Sequence, residues 1–165
     1  MEIKEMSPEE KYDKLLDDYL LSCATGYALH KELGVVDKCL DLSVKAHKKM
    51  LPSYMGPVFK LTKMVAPGRT FKQTVDRSMY MQQVYQPLSS IEVIRVSDRE
   101  SVTRIKNCNI IRRLRDLVKK AGLDIDPKFY CEAESLVAKE MAKEFGVDLT
   151  HQFEEDGCTI TAKLK

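Results

Sequence analysis

The chain has 165 residues, 44% of them hydrophobic and 32% charged, with a formal net charge of +2. That length suits one domain with a real core rather than two domains, and a composition this rich in apolar residues excludes a disordered chain. A charge so close to balance excludes binding of nucleic acid or an acidic membrane through overall charge alone.

The N-terminal stretch MEIKEMSPEEKYDK is acidic and lacks the basic start and apolar run of a secretory signal, so the cytoplasm is the expected location. Ser7-Pro8-Glu9-Glu10 predicts a helix start, with Ser7 as N-cap, Pro8 at the first helical position and acids at the positive end of the helix dipole. Tyr12, Leu15, Leu16, Tyr19, Leu20, Cys23 and Tyr27 then recur at spacings of three and four, an apolar stripe that needs a cover. Gly34 ends or interrupts this helix. The longest nearly apolar run, Tyr19 to Leu29, falls short of the roughly 20 residues that cross a bilayer, so no membrane span is expected. A second helix is predicted from about Val36 to Met50, carrying Leu40, Val44 and His47, with Pro52 as its stop.

The middle of the chain is less regular. Pro52, Gly56, Pro57, Pro67, Gly68 and Pro87 punctuate short apolar pieces, with Met50, Met55, Met64, Met79 and Met81 among them. Methionine adapts to irregular shapes, so this region reads either as ordinary core or as the wall of a pocket for a flexible apolar ligand. Phe71 to Tyr85 suits a further helix.

From Ile91 the period changes to that of strands. IEVIRVS and SVTRIKN, separated by a polar turn, predict a β-hairpin over about 91–107. NIIRRLRDLVKKAG places Ile110, Ile111, Leu114, Leu117, Val118 and Ala121 at helical spacing and ends at Gly122. Asp126-Pro127 predicts the next helix, with Phe129, Tyr130, Ala133, Leu136, Val137 and Met141 turned inward until Gly146. VDLTHQF and CTITAKL then form a second hairpin over about 147–164, joined through Glu154-Glu155-Asp156-Gly157. Two hairpins and several helices, without a strand–helix–strand rhythm, predict a single α+β domain over 1–165. Its antiparallel sheet is covered by helices, with a helical N-terminal part over about 7–87 and the sheet-bearing part over about 90–165.

Chemistry concentrates in the last third. Cys108, Cys131, His151 and Cys158 are sulfur and imidazole groups of the kind that bind zinc and other transition metals. A four-residue turn in the second hairpin makes His151 and Cys158 diagonal neighbours, with Cβ atoms about 7 Å apart or less; a two-residue turn separates them further. Cys131 lies in the first turns of its helix, where thiolate is favoured, so it is the cysteine best suited by its local setting to ligation or reactivity. Against this, free cysteine is among the most buried residue types, a histidine alternating with Val, Leu and Phe suits a core, and no paired CxxC knuckle is present. The odd count of five cysteines suits no disulfide framework.

NCNI at Asn107 to Ile110, FYCEAESLVAKEMAKEFG and HQFEEDGCTITAKL resemble the C-terminal half of the 4-vinyl reductase domain family, over about the last 75 residues of the chain. The resemblance implies an α+β fold shared with transport-particle subunits and haem nitric-oxide-binding domains, a pocket for hydrocarbon-like ligands, zinc-binding cysteines and pairing as a homodimer. His151 stands ahead of Cys158 where the family usually has a further cysteine ahead of its last, a departure that keeps a metal ligand and weakens a thiol-based role. Despite the family name, no GxGxxG fingerprint follows a predicted strand and no iron–sulfur spacing occurs.

Three functions compete. The first is a binding or sensor domain for an apolar small molecule, with Cys108, Cys131, His151 and Cys158 as zinc ligands. The second is a cysteine-dependent enzyme, a hydrolase or reductase component, with Cys131 as nucleophile, His151 as base and Glu132, Glu134 or Glu140 as acids. The third is nucleic-acid binding through Arg112, Arg113, Arg115, Lys119 and Lys120, which the outward face of an amphipathic helix explains without a partner.

Overall fold

The computed structural model describes residues 5–54 and 62–165; Met55, Gly56 and Pro57 of the irregular middle lie outside them. Helix α1 (Pro8–Glu32) starts as its sequence predicts. The Ser7 hydroxyl accepts from the Glu10 N–H while the Glu10 carboxylate accepts from the Ser7 N–H at 2.7 Å, a reciprocal cap. Its buried residues are Leu16, Leu20 and Ala24, a narrower stripe than the sequence suggests. Leu15 is 69% exposed and Tyr19 50%, because the helix over Asn109–Ala121 covers only one side of α1.

Helix α2 (Val36–Tyr54) runs past Pro52 instead of stopping before it. Proline removes one backbone donor but its φ is helical, so near a helix end it does not force a break. Helix α3 (Pro67–Gln82) begins four residues ahead of the predicted Phe71 and buries Thr70, Phe71 and Val75. Of the methionines of the irregular middle, Met79 packs into the core, whereas Met50, Met64 and Met81 are exposed.

The two predicted hairpins form. Strands β1 (Ile91–Val96) and β2 (Glu100–Ile105) make the first, and β3 (Val147–Phe153) and β4 (Cys158–Leu164) the second. They join through an antiparallel β2–β4 pairing into one four-stranded sheet of order β1-β2-β4-β3, so the α+β class and the antiparallel sheet are as expected. Strand alternation gives the sheet two different faces. One carries Ser101, Thr103 and Ile105 with Cys158, Ile160 and Ala162 and turns toward the helices. The other carries charges that pair across strands, Glu92 with Lys106 at 2.8 Å and Glu100 with Lys163 at 3.3 Å.

Helix α4 (Asn109–Ala121) ends at Gly122, whose φ of 66° is the left-handed C-cap conformation that glycine adopts without strain. It buries Ile110, Ile111, Leu114 and Val118 against α1. Helix α5 (Phe129–Glu144) begins two residues beyond Pro127, because Asp126 closes a preceding turn by accepting from the Lys128 N–H. It packs between α2 and β3, and Leu136, expected inside, is 49% exposed. No described helix is long and apolar enough to cross a membrane.

One core gathers α1, β2, α4, the start of α5 and β4 around Leu20, Ile111 and Leu114; a smaller one lies where Phe71 and Val75 of α3 meet Val147. The second hairpin locks onto the first core through its turn. A Cβ on Gly157 would collide with the Ile105 carbonyl oxygen, and the neighbouring Asp156 carbonyl accepts from the Cys108 N–H at 2.7 Å. Gly157→Ala should therefore lower unfolding stability by about 3 kcal/mol. Gly26→Ala, in the open middle of α1 with nothing within 4 Å of the added carbon, should raise it by roughly 0.5–1 kcal/mol. Urea denaturation of the two variants checks both signs.

Candidate functional site

All four of the residues singled out in the sequence line one cavity of about 190 Å³. Cys108 comes from the β2–α4 connection, Cys131 from the first turn of α5, His151 from β3 and Cys158 from the start of β4. The turn between β3 and β4 has four residues, with Phe153 opposite Cys158 and His151 opposite Ile160. His151 and Cys158 are thus diagonal neighbours on one face, the arrangement a four-residue turn predicts.

The thiols are not equivalent. Cys108 is the N-cap residue of α4 and is 5% exposed. Around its sulfur stand the Cys131 thiol, the backbone N–H groups of Ile110 and Ile111, and the Gln86 side-chain amide, which donates to it at 3.1 Å. Together they outweigh burial and hold the Cys108 thiol down at about 6. Cys131 moves the opposite way, because its proton is committed to Cys108, it is buried, and a second thiolate beside the first is repelled. Burial, then the Cys108 charge, pushes Cys158 up to about 11. The reactive setting that the sequence assigns to Cys131 belongs instead to Cys108. Both cysteines sit at helix starts, but Cys108 is the N-cap residue ahead of the first-turn N–H groups of α4 and also receives the Gln86 amide, while Cys131 lies inside the first turn of α5.

Gln86 was not legible as a site residue. It is 3% exposed, and its side chain bridges two elements: the amide N–H donates to Cys108 Sγ and the carbonyl accepts from the Asn109 N–H at 2.7 Å. Asn109 in turn donates to the Tyr85 carbonyl at 3.1 Å. Glutamine before Pro87 carries no sequence signal of this role, since the partner lies on a remote segment.

His151 is buried enough that its pKa falls, and its Nδ1 has no hydrogen-bond partner among the described residues. The ring lies parallel to Phe153, with centroids 6.0 Å apart. A buried polar atom without a partner costs about 1–3 kcal/mol. Tyr130 and Glu134 complete the polar part of the wall. Tyr130 is held well above the usual phenol range by burial and by its hydrogen bond with Tyr19.

As a zinc centre the set has suitable chemistry without the required convergence. Zinc takes about four ligands at roughly 2.0–2.3 Å, and among the described residues no three His, Cys, Asp or Glu side chains gather to hold one ion. As an acid–base–nucleophile set, Cys131 with Glu132 or Glu140 is not assembled either: Glu132 is exposed, and Glu140 pairs with Lys48 and Lys143. Glu134 alone of the three lines the cavity. Two of the five basic residues of α4 are committed within the chain, Arg113 to Asp13 and Asp17 and Arg115 to Asp156, which leaves a poorer cationic face than the sequence suggests. No family model, curated protein or solved structure matches the chain.

Alkylation by iodoacetamide, followed residue by residue over a pH series, should show Cys108 reacting as thiolate with a midpoint near 6. Since the thiolate is the attacking form, its rate should be flat above that midpoint and fall below it. In Gln86→Leu the midpoint should move upward, because one of the donors to sulfur is gone.

Proposed function

We propose that the protein binds a small, largely apolar molecule in the space between α3, α5 and the inner face of the sheet, with Cys108 and His151 at one end. The observation that carries this reading is a series of cavities beneath α3 whose walls are shared. An apolar one of about 270 Å³ is lined by Phe71, Val75, Met141, Phe145 and Leu149 among others. Val75, Ser78, Leu149 and Ala162 also line a second, and Gln82, Ile105 and Ile160 connect that one to the thiol-bearing cavity. Pockets of this size with apolar walls and a few converging polar groups are the usual form of small-molecule sites.

The resemblance to the 4-vinyl reductase domain family points the same way, toward a hydrocarbon-like ligand. Zinc, which the resemblance also implies, is supported by donor chemistry alone. Five free thiols accord with a reducing, cytoplasmic setting. The exposed Leu15 and Tyr19 of α1 supply apolar surface for the homodimer that the resemblance suggests.

Ala138 on α5 lines both the apolar and the thiol-bearing cavity, so Ala138→Phe fills the junction between them. Titration with an environment-sensitive apolar dye should show saturable binding to the native protein and at least roughly tenfold weaker binding to Ala138→Phe. Equal affinity in the two proteins, with both folded by circular dichroism, defeats the cavity reading. Elemental analysis of protein purified without chelator decides the metal: stoichiometric zinc that is lost in Cys158→Ser assigns the thiols as ligands, and its absence in the native protein removes zinc from the reading.

A further inference from the structure

The contact between Cys108 and Cys131 supports chemistry that ligand binding does not use. The two cysteines come from different elements, the head of α4 and the first turn of α5, yet both line one cavity, pack on the same core, and are each the largest influence on the other's hold on its proton. Cys108 is held in place from two further sides, by the Gln86 amide at 3.1 Å and by its own N–H on the Asp156 carbonyl at 2.7 Å. Both sulfurs line the cavity of about 190 Å³, which gives a small oxidant a route to otherwise buried thiols. Helix α5 begins without a side-chain cap from Lys128. No cap bond therefore opposes the movement of its first turn that brings the sulfurs to the ~2.05 Å of a disulfide.

We propose that Cys108 and Cys131 are a redox pair, a dithiol that a hydroperoxide converts to an intramolecular disulfide. The Cys108 sulfur attacks the terminal oxygen of the hydroperoxide; an S–O bond forms, the O–O bond breaks, and the departing alkoxide takes a proton to leave as an alcohol, or as water from hydrogen peroxide. Cys108 is then a sulfenic acid. The Cys131 sulfur attacks it, the S–S bond forms, the S–O bond breaks, and hydroxide leaves with the Cys131 proton as water. Two thiols are oxidised and one peroxide is reduced, with no other reactant. Cys108 is the attacking sulfur because the Gln86 amide donates to it, and Cys131 is the resolving one because it lines the same cavity from the head of α5. Cys158 lines the same cavity but is held in the strand register opposite Phe153.

The inference does not depend on the apolar-ligand reading, and dye binding and thiol oxidation report on the two separately. Full-length reduced protein, freed of reductant, is treated with hydrogen peroxide, quenched with acid and alkylating agent, proteolysed and mapped by mass spectrometry. Of the five cysteines, Cys108 and Cys131 should be recovered joined to each other, and dithiothreitol should separate them. Oxidation at Cys108 should outrun that at Cys39 of α2 by roughly tenfold or more. In Cys131→Ser, Cys108 should accumulate as a sulfenic acid that dimedone traps. The native map decides the matter without reliance on a variant's folding: Cys108 and Cys131 unlinked after Cys39 has oxidised, or Cys108 joined to Cys158, overturns the proposal.

Discussion

The site depends on one close approach of backbone to backbone. Gly157 presses against the Ile105 carbonyl where no side chain fits, and Asp156 beside it accepts the Cys108 N–H. These two contacts tie the turn of the second hairpin to the point where β2 hands over to α4. They also set the β2–β4 register, with Ile105 opposite Cys158. Cys108 and Cys158, far apart along the chain, meet at one cavity for that reason. The remaining members follow from the same seat, since β3 carries His151 into the face that Cys158 shares and α5 lies against β3.

A second constraint is electrostatic. A buried cluster of three thiols does not lose three protons together, because each charge left in low dielectric raises the cost of the next. The donors are arranged to favour one sulfur. The Gln86 amide donates to Cys108, the first turn of α4 and the Cys131 thiol stand beside it, and the other two thiols hold their protons to higher pH. Gln86 does this from a buried position in which both ends of its amide are satisfied, so the arrangement adds no orphaned polar group. The orphan lies across the cavity, at His151 Nδ1. Cys108 and His151 thus line a space whose other walls are mostly apolar.

Helix α3 gives that space its length. It runs over the sheet from the β1–β2 turn, where Gly68 meets Asp98, toward Gln82 at the thiol-bearing cavity. Its apolar contacts to the sheet are few, Phe71 and Val75 packing by Val147 and Met79 packing nearby, and cavities occupy the intervals. A helix seated on isolated contacts can shift with less loss than one packed at native density, which suits an element that covers a ligand. The opposite face of the sheet, bound by cross-strand ion pairs, gives the scaffold against which such a shift is measured.

Local signals in the sequence determined the elements. The Ser7 cap, the apolar spacing of Ile110 to Val118, the Gly122 stop and the alternation in both hairpins each depend on residues within one or two turns of one another, so they predict the helix starts, the hairpins and the α+β class. The concentration of Cys108, Cys131, His151 and Cys158 was also legible, because sulfur and imidazole are informative wherever they stand. Tertiary structure decided what those groups do. Which cysteine holds its proton least tightly turned on its place at the head of α4 and on Gln86, a residue with no signal of its own. That Leu15 and Leu136 face solvent turned on how little of α1 and α5 their neighbours cover. The physical reason is common to both: periodicity is a property of one segment, whereas burial, charge and hydrogen-bond supply at a side chain are set by segments that only folding brings beside it.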